Sequence, residues 1–287
     1  MLDGATALAL PINKGQSLDV SLRKNDKMLE WNAGHLNEHW FSAKISIPQL
    51  EVIDTDNISI ANRLVEILNK TRELKPSFLD GEHGFTVETN LEFLPWHGLG
   101  SSSTLVNNIA NWAGVDAFKL QKITFGGSGY DIACANNSKS VFFKLVEGNP
   151  IIEEANFNPE FSDNIYFVYL GKKQRSIESI KNFRESAKYS NTEIREISNI
   201  SRQLIECKKL KEFDYLIDAH ERIMSGVLGR PTIKSIAFSD FDGSVKSLGG
   251  WGGDFVMMTT TNDKMEFAKY LLKKKLETFF PFGDLLI

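Results

Sequence analysis

Cysteine is scarce in this 287-residue chain, with only Cys134 and Cys207, far apart and without metal-ligand spacing. That excludes a disulfide framework and a cysteine-built zinc centre, and it leaves two reduced thiols as structural bystanders. No apolar run approaches the roughly 20 residues of a membrane span, and Met1-Leu2-Asp3-Gly4 lacks the basic start of a secretion signal. The expected setting is cytoplasmic, with no membrane partner. A basic excess is missing too: 33 Lys and Arg against 37 Asp and Glu give a formal net charge of −4, so no overall positive field draws nucleic acid. Neither an internal repeat nor a low-complexity tract is present. What the chain does have is 42% hydrophobic residues, enough for the cores of one large or two medium domains.

The hydrophobic pattern mixes strands and helices in both halves. Ala5 to Ile12, Leu18 to Leu22, Met28 to Trp31, Trp40 to Ile45 and Gly84 to Asn90 alternate or are β-branched, and Asp54 to Lys70 interrupts them with helical spacing at Ile60, Leu64, Ile67 and Leu68. Ser140 to Val146 and Pro150 to Phe157 read as strands, and the polar stretch Asn158 to Asn164 as a break. Beyond it, Ile165 to Leu170 reads as a strand, followed by helical periodicity at Ile177 to Phe183, Ile194 to Leu204 and Phe213 to Leu228. Ser235 to Ser239, Ser244 to Leu248 and Phe255 to Thr260 are further expected strands, and Asp263 to Glu277 an expected helix. The fold class is α+β in two domains.

Glycine is concentrated in three clusters. Pro95-Trp96-His97-Gly98-Leu99-Gly100-Ser101-Ser102-Ser103 runs from the apolar strand-like Thr86 to Leu94 into the apolar helix-like Thr104 to Ala113. Such a junction suits phosphate: glycines let the backbone approach an anion, hydroxyls donate or reach a metal, and the helix's first N–H groups carry the positive end of its dipole. The other two are Gly126-Gly127-Ser128-Gly129-Tyr130-Asp131 and Gly249-Gly250-Trp251-Gly252-Gly253-Asp254. One such cluster is common in ordinary turns; three together point to a nucleotide site. Asp131 has two readings, a catalytic or orienting carboxylate and a cap for the helix expected from Ile132 to Asn136.

Taken together, these residues resemble the GHMP kinases, the family named for galactokinase, homoserine kinase, mevalonate kinase and phosphomevalonate kinase, over nearly the whole chain. Pro95 to Ser103 is similar to the family's Pro-x-x-x-Gly-Leu-Gly-Ser-Ser phosphate loop, Lys246 to Asp254 to its C-terminal glycine loop, and Leu2 to Ala9 to the tail of its N-terminal motif. Gly127-Ser128-Gly129-Tyr130-Asp131-Ile132-Ala133 resembles the Gly-Ser-Gly-x-Asp segment of the mevalonate and phosphomevalonate kinases, in the bacterial branch with a Gly-Tyr-Asp-Ile-Ala string. The resemblance implies a two-domain α+β fold. Residues 1–162 would form a domain like the second domain of ribosomal protein S5, and 163–287 a ferredoxin-like one. It also implies ATP and Mg2+, and γ-phosphoryl transfer to a hydroxyl or phosphate of a small metabolite, mevalonate or phosphomevalonate first. Carried over residue by residue, Gly98, Leu99, Gly100, Ser101, Ser102 and Ser103, with Gly249, Gly250, Gly252 and Gly253, are the implied ATP-phosphate contacts. Ser102 is the implied metal ligand and Asp131 the carboxylate that activates the acceptor hydroxyl; Ser128 and Gly129 are expected on the acceptor side, and His97, inside the phosphate loop, either touches the acceptor or packs. A monomer or homodimer is expected.

Three positions depart from the family pattern. Upstream of the aspartate, where mevalonate kinase keeps a glutamate that helps hold Mg2+, this chain reads Lys119-Leu120-Gln121, nearer the phosphomevalonate kinase arrangement. Trp251 stands where the C-terminal loop usually keeps a glycine. The chain also starts inside the first motif, without the strand and lysine that normally precede it; the expectation is that Met1 is an internal start, with roughly 10 to 20 further residues encoded upstream. These departures favour the alternative reading, a catalytically impaired protein of the same fold that binds nucleotide or a small metabolite.

Other motifs carry weaker signals. His35-Leu36-Asn37-Glu38-His39 spells the H-x-x-E-H zinc pattern, but Gly34 and Trp40-Phe41 flank it in strand-rich sequence, against the helix that pattern needs. Asp240-Phe241-Asp242-Gly243-Ser244 resembles a phosphatase nucleophile motif, yet too little chain follows to build that fold, and an Asp-Gly hairpin turn is the expectation. Lys172, Lys173 and Arg175 form a solvated basic turn or meet a substrate phosphate.

Overall fold

The computed structural model describes the chain apart from residues 25, 82, 172–179, 182, 186, 250, 252, 253 and 287. In chain order the described strands are β1 (Ala7–Ala9), β2 (Gln16–Arg23), β3 (Met28–His35), β4 (Glu38–Ser46), β5 (Val52–Thr55), β6 (Gly84–Leu91), β7 (Val141–Val146), β8 (Asn149–Glu154), β9 (Ile165–Tyr169), β10 (Val245–Ser247), β11 (Phe255–Thr259) and β12 (Phe279–Pro281). Among the described residues the helices used below are α1 (Ile58–Leu74), α2 (Ser101–Ala113), α3 (Ala117–Thr124), α4 (Tyr130–Ala135), α5 (Asn191–Leu204), α6 (Leu210–Leu228), α7 (Ile233–Ala237), α8 (Lys264–Lys273) and α9 (Phe282–Leu285). They fall into two compact units, one of Lys14–Ala135 and one of Met1–Asn13 with Asn136–Ile287.

In the first unit, β2-β6-β3-β4-β5 form one sheet, antiparallel except for the parallel β3–β6 pair. Alternation sends Leu29, Trp31 and Ala33 of β3 and Phe41, Ala43 and Ile45 of β4 to the face covered by helices. There they meet Ala61, Leu64, Ile67 and Leu68 of α1 and Val106, Ile109, Ala110 and Ala113 of α2. The start of α1 is fixed by Asn57, whose side chain accepts from the Ile60 N–H at 3.2 Å. The His35–His39 motif is a hairpin between β3 and β4. Leu36 and Asn37 take φ of 50° and 65°, the turn that matches strand twist, so no helix presents the two histidines together.

The second unit holds two sheets. β1-β7-β8 is a small antiparallel sheet, and β10-β11-β9-β12 a four-stranded antiparallel one. Numbering the latter strands along the chain gives the order 2-3-1-4, with α5 and α6 between its first and second strands and α8 between its third and fourth. That is the ferredoxin-like plan expected of the C-terminal half. Its core packs Tyr166, Val168, Val245, Val256 and Met258 against Phe238, Phe241, Phe267 and Leu271. The N-terminal strand and the β7–β8 hairpin, which the 162/163 division assigns to the first domain, belong to this unit because β1 pairs with β7 and the Thr6 N–H donates to Ser198 of α5 at 3.0 Å.

One expected strand is a helix. Ser235 to Ser239 overlaps α7, because the Thr232 side chain accepts from the Ser235 N–H at 3.2 Å and caps a turn there. The Asp-Gly step at 242–243 therefore joins a helix to β10 instead of two strands. Gly243 is required by close approach: a β-carbon there would lie 2.0 Å from the Thr259 carbonyl oxygen.

Candidate active site

The phosphate-loop sequence lies between β6 and α2. Gly98 and Gly100 both take left-handed backbone, with φ of 72° and 85°, as an anion-cradling turn requires. Gly100 is the N-cap of α2, which begins at Ser101, three residues earlier than periodicity alone places it. No side chain caps this helix and no acidic residue stands in its first turn. Its first turn thus takes no cap from its own side chains, and its N–H groups carry the positive end of the helix dipole. Ser102 is exposed, Ser103 is buried, and the Ser101 hydroxyl donates to the Pro95 carbonyl at 3.4 Å. The far end is closed by Gly114 in the same left-handed form, so the direction of α2 is set at both ends. Thr104 and Asn108 tie it to β2, donating to the Gln16 side chain and carbonyl, each at 2.8 Å.

The second glycine cluster links α3 to α4. Gly126, Gly127 and Gly129 have φ of 69°, 86° and 83°. At Gly129 a β-carbon would also sit 2.9 Å from Phe118 Cδ1, so the turn admits glycine alone without displacing that ring. Gln121 holds the cluster from below, its Nε2 donating to the Gly126 carbonyl at 3.3 Å, while the neighbouring Leu120 is a fully buried core residue. Neither is a carboxylate.

The two clusters meet at Asp131. Helix α4 starts at Tyr130, whose N–H donates to the Ser128 hydroxyl at 3.4 Å, and Asp131 lies inside its first turn. Asp131 is therefore not the N-cap that an ordinary helix-start aspartate would be. Its Oδ1 instead lies 3.8 Å from the point that a β-carbon on Gly100 would occupy, beside the uncapped N-terminus of α2. Burial pushes its pKa up to about 6, partly offset by a hydrogen bond from Tyr130. Cys134, one turn on, is pushed up to about 12 by burial and by the Asp131 charge, which leaves an unreactive thiol. Burial lowers the pKa of half-buried His97, favouring the neutral imidazole. Trp96, 47% exposed, sets its ring edge against His35 at 5.8 Å.

The third cluster belongs to the second unit. Gly250, Gly252 and Gly253 lie outside the described residues, as do Lys172, Lys173 and Arg175. Gly249 has φ of 58°, and Trp251 has φ of 56°, left-handed backbone that is rare for an aromatic residue. Trp251 is held in it: its indole N–H donates to Glu221 Oε1 at 3.2 Å, its carbonyl accepts from Arg230, and that guanidinium lies 5.2 Å from the ring centroid. Glu221, 3% exposed, also accepts from Lys246 Nζ and from the Ser247 N–H, both at 3.2 Å. Burial alone would raise the Glu221 pKa, but His220 and the Lys246 ammonium hold it below the usual carboxylate range. His220 is pushed down to about 4 by burial and by Lys246; it is neutral, and its Nδ1 accepts from the ammonium at 2.9 Å. Sequence reasoning passed over Glu221 and His220. The available signal was the α6 stripe Phe213, Ile217, Glu221, which puts a carboxylate where the period demands an apolar residue.

No protein-family model matches the chain, and no curated protein matches it by sequence. Solved structures do match. Mevalonate kinase of L. major in complex with R-mevalonate aligns at a TM-score of 0.67 and 13% identity, over 97% of this chain and 89% of that one. Streptococcus pneumoniae phosphomevalonate kinase, in complex with phosphomevalonate and AMPPNP, gives 0.65 and 12%, over 96% and 93%. Lactococcus lactis galactokinase complexed with galactose gives 0.65 and 14%, over 96% and 87%. The fold of this chain is accordingly that of the GHMP kinases, the two-domain α+β architecture of mevalonate kinase, phosphomevalonate kinase and galactokinase.

Proposed function

We propose that this chain is an ATP-dependent small-molecule kinase, transferring the γ-phosphoryl group to a hydroxyl or phosphate of a small metabolite, with mevalonate and phosphomevalonate as the first candidates. The observation that carries this reading is the Asp131 carboxylate beside Gly100, at the uncapped N-terminus of α2. The first N–H groups of that helix suit phosphate oxygens, and the neighbouring carboxylate suits an acceptor hydroxyl. With a pKa of about 6, Asp131 is ionised at neutral pH and still more basic than an ordinary carboxylate. As general base on an alcohol it would contribute about 10²–10⁴-fold. An acceptor that is already a phosphate needs little proton abstraction, and there Asp131 orients it.

The remaining groups follow the same logic. Gly98 to Ser103 offer backbone donors to the phosphates, and Gly249, Gly250, Gly252 and Gly253 are proposed to add theirs. His97, Ser128 and Gly129 are proposed for the acceptor side. Mg2+ bound with ATP would offset charge on the phosphate oxygens. The donor set fits it: the exposed Ser102 hydroxyl supplies a hard oxygen, and among the described residues no group of three His, Cys, Asp or Glu competes as an all-protein cage. The AMPPNP carried by the pneumococcal neighbour supports an adenine nucleotide. ATP with Mg2+ at 100 times its Kd is expected to add about 2.7 kcal/mol to stability. An unchanged melting temperature at saturating ATP and Mg2+ would contradict the proposal.

A further inference from the structure

Helix α6 carries a stripe that neither the core nor the phosphate chemistry uses. Phe213 and Ile217 are buried, whereas Tyr215, Asp218 and Arg222 follow one another at helical spacing on a different side. Between that stripe and the start of α7 lies a cleft of about 400 Å³, with buried Glu221 and Val245 at its floor. Its size suits a small metabolite. All of its walls belong to the second unit, whereas the phosphate loop and Asp131 belong to the first. The charge on these walls is unbalanced. Arg222 and Lys234 both line the cleft, and neither is ion-paired among the described residues, although Arg222 Nε donates to the Asp218 carbonyl at 3.3 Å. Glu221 already has Lys246 as its counter-ion at 3.2 Å. The Lys234 charge also reaches Asp214, but that carboxylate stands outside the lining and accepts from the Thr259 hydroxyl at 2.5 Å. That leaves Asp218 against two cations. Tyr215, 68% exposed, sets an aromatic ring at the rim.

We propose that this cleft is a small-molecule site of its own, for a metabolite with an anionic group that meets Arg222 and Lys234, a hydroxyl or ammonium that meets Asp218, and a carbon body against Tyr215. It stands independently of the kinase reading. An anion held by two cations in a partly enclosed cleft makes charge-assisted hydrogen bonds that are screened less than on an open surface. Arginine supplies a planar fork and lysine a mobile point charge, a pair that serves carboxylate and phosphate alike. Asp218 repels a bare anion and favours one that brings its own donor, which selects hydroxy acids, amino acids and polyol phosphates over inorganic ions.

The test is titration of the isotope-labelled full chain with L-lactate, L-serine and glycerol phosphate, without nucleotide, followed by backbone amide shifts in NMR. At least one probe should give saturable shifts at residues 215–222 and 232–234. The double variant Arg222→Gln with Lys234→Met keeps both side-chain stems and removes both charges, so it should weaken that binding about 10-fold or more with little change in melting temperature. Tyr215→Ala, at an exposed side chain, is the second variant and should weaken it too. Saturation by serine, reduced in Asp218→Asn, identifies an ammonium ligand; saturation by lactate or glycerol phosphate identifies a hydroxyl and tells carboxylate from phosphate. No saturable shift at these amides from any probe, shifts confined to the phosphate loop, or equal affinity in the wild type and the double variant would overturn the proposal. Because no nucleotide is present, such a failure leaves the kinase reading standing.

Discussion

Replacing Asp131 by Asn is expected to make the protein more stable and far less active, with the stability gain appearing only above acid pH. The carboxyl has a pKa of about 6 in the fold against 3.8 in the unfolded chain. Below pH 3.8 both states are protonated and the group contributes no difference. Between 3.8 and 6 the unfolded chain ionises while the folded one keeps its proton, so the unfolded state binds fewer protons and folding stability falls as pH rises. Above pH 6 the penalty is complete, at about 3 kcal/mol for a shift of this size. Asn carries the shape of the protonated acid without its titration, so the variant escapes that penalty. Thermal unfolding of both proteins without nucleotide, at pH 4 and pH 8, reads the difference. The two curves should nearly coincide at pH 4, and at pH 8 the variant should melt about 6 °C or more above the wild type. Turnover on an alcohol acceptor should fall by at least about 10²-fold. A variant no more stable at pH 8 than at pH 4, relative to the wild type, would refute the buried-carboxylate argument. Full activity would remove Asp131 from the chemistry.

Ser102→Ala should weaken metal-dependent turnover more than Ser103→Ala, because Ser102 is exposed at the first turn of α2 and Ser103 is buried in its packing; equal losses in a magnesium titration of turnover would show the metal register to be wrong. Gly129→Ala combines a φ of 83° with a β-carbon 2.9 Å from Phe118 Cδ1. It should destabilise the protein by about 2 kcal/mol or more and reduce turnover as Asp131 moves, seen as a lower urea midpoint. Gly100→Ala meets only the Asp131 carboxylate at 3.8 Å, so its cost is backbone strain at φ 85°, and weaker nucleotide binding should exceed any loss of fold.

Much of this architecture was legible because its elements announce themselves locally. The alternation of β3 and β4, the spacing of Ile60, Leu64, Ile67 and Leu68, and the left-handed glycines at 98 and 100 follow from side-chain period and sterics that a reader of sequence can apply. Ser235 to Ser239 failed because one capping hydroxyl, Thr232, outweighed a β-like composition. The short strands β5 and β12 escaped notice because only pairing to β4 and β9 extends them. At the site, residue types were readable and relations were not. That Asp131 sits beside Gly100 depends on the packing of α4 on α2, which no spacing along the chain encodes. Glu221 was hidden for the same reason: apart from the adjacent His220, its partners Lys246, Ser247 and Trp251 reach it only through the fold.

Phosphoryl transfer itself tests the central claim most directly. The protein incubated with Mg2+ and ATP labelled in its γ-phosphate, against a panel of small alcohols and phosphates that includes mevalonate and phosphomevalonate, should move label to at least one acceptor, and Asp131→Asn should abolish or strongly reduce that transfer. Nucleotide binding with no label reaching any acceptor would contradict the account and establish instead a protein of kinase fold that binds without transferring phosphate.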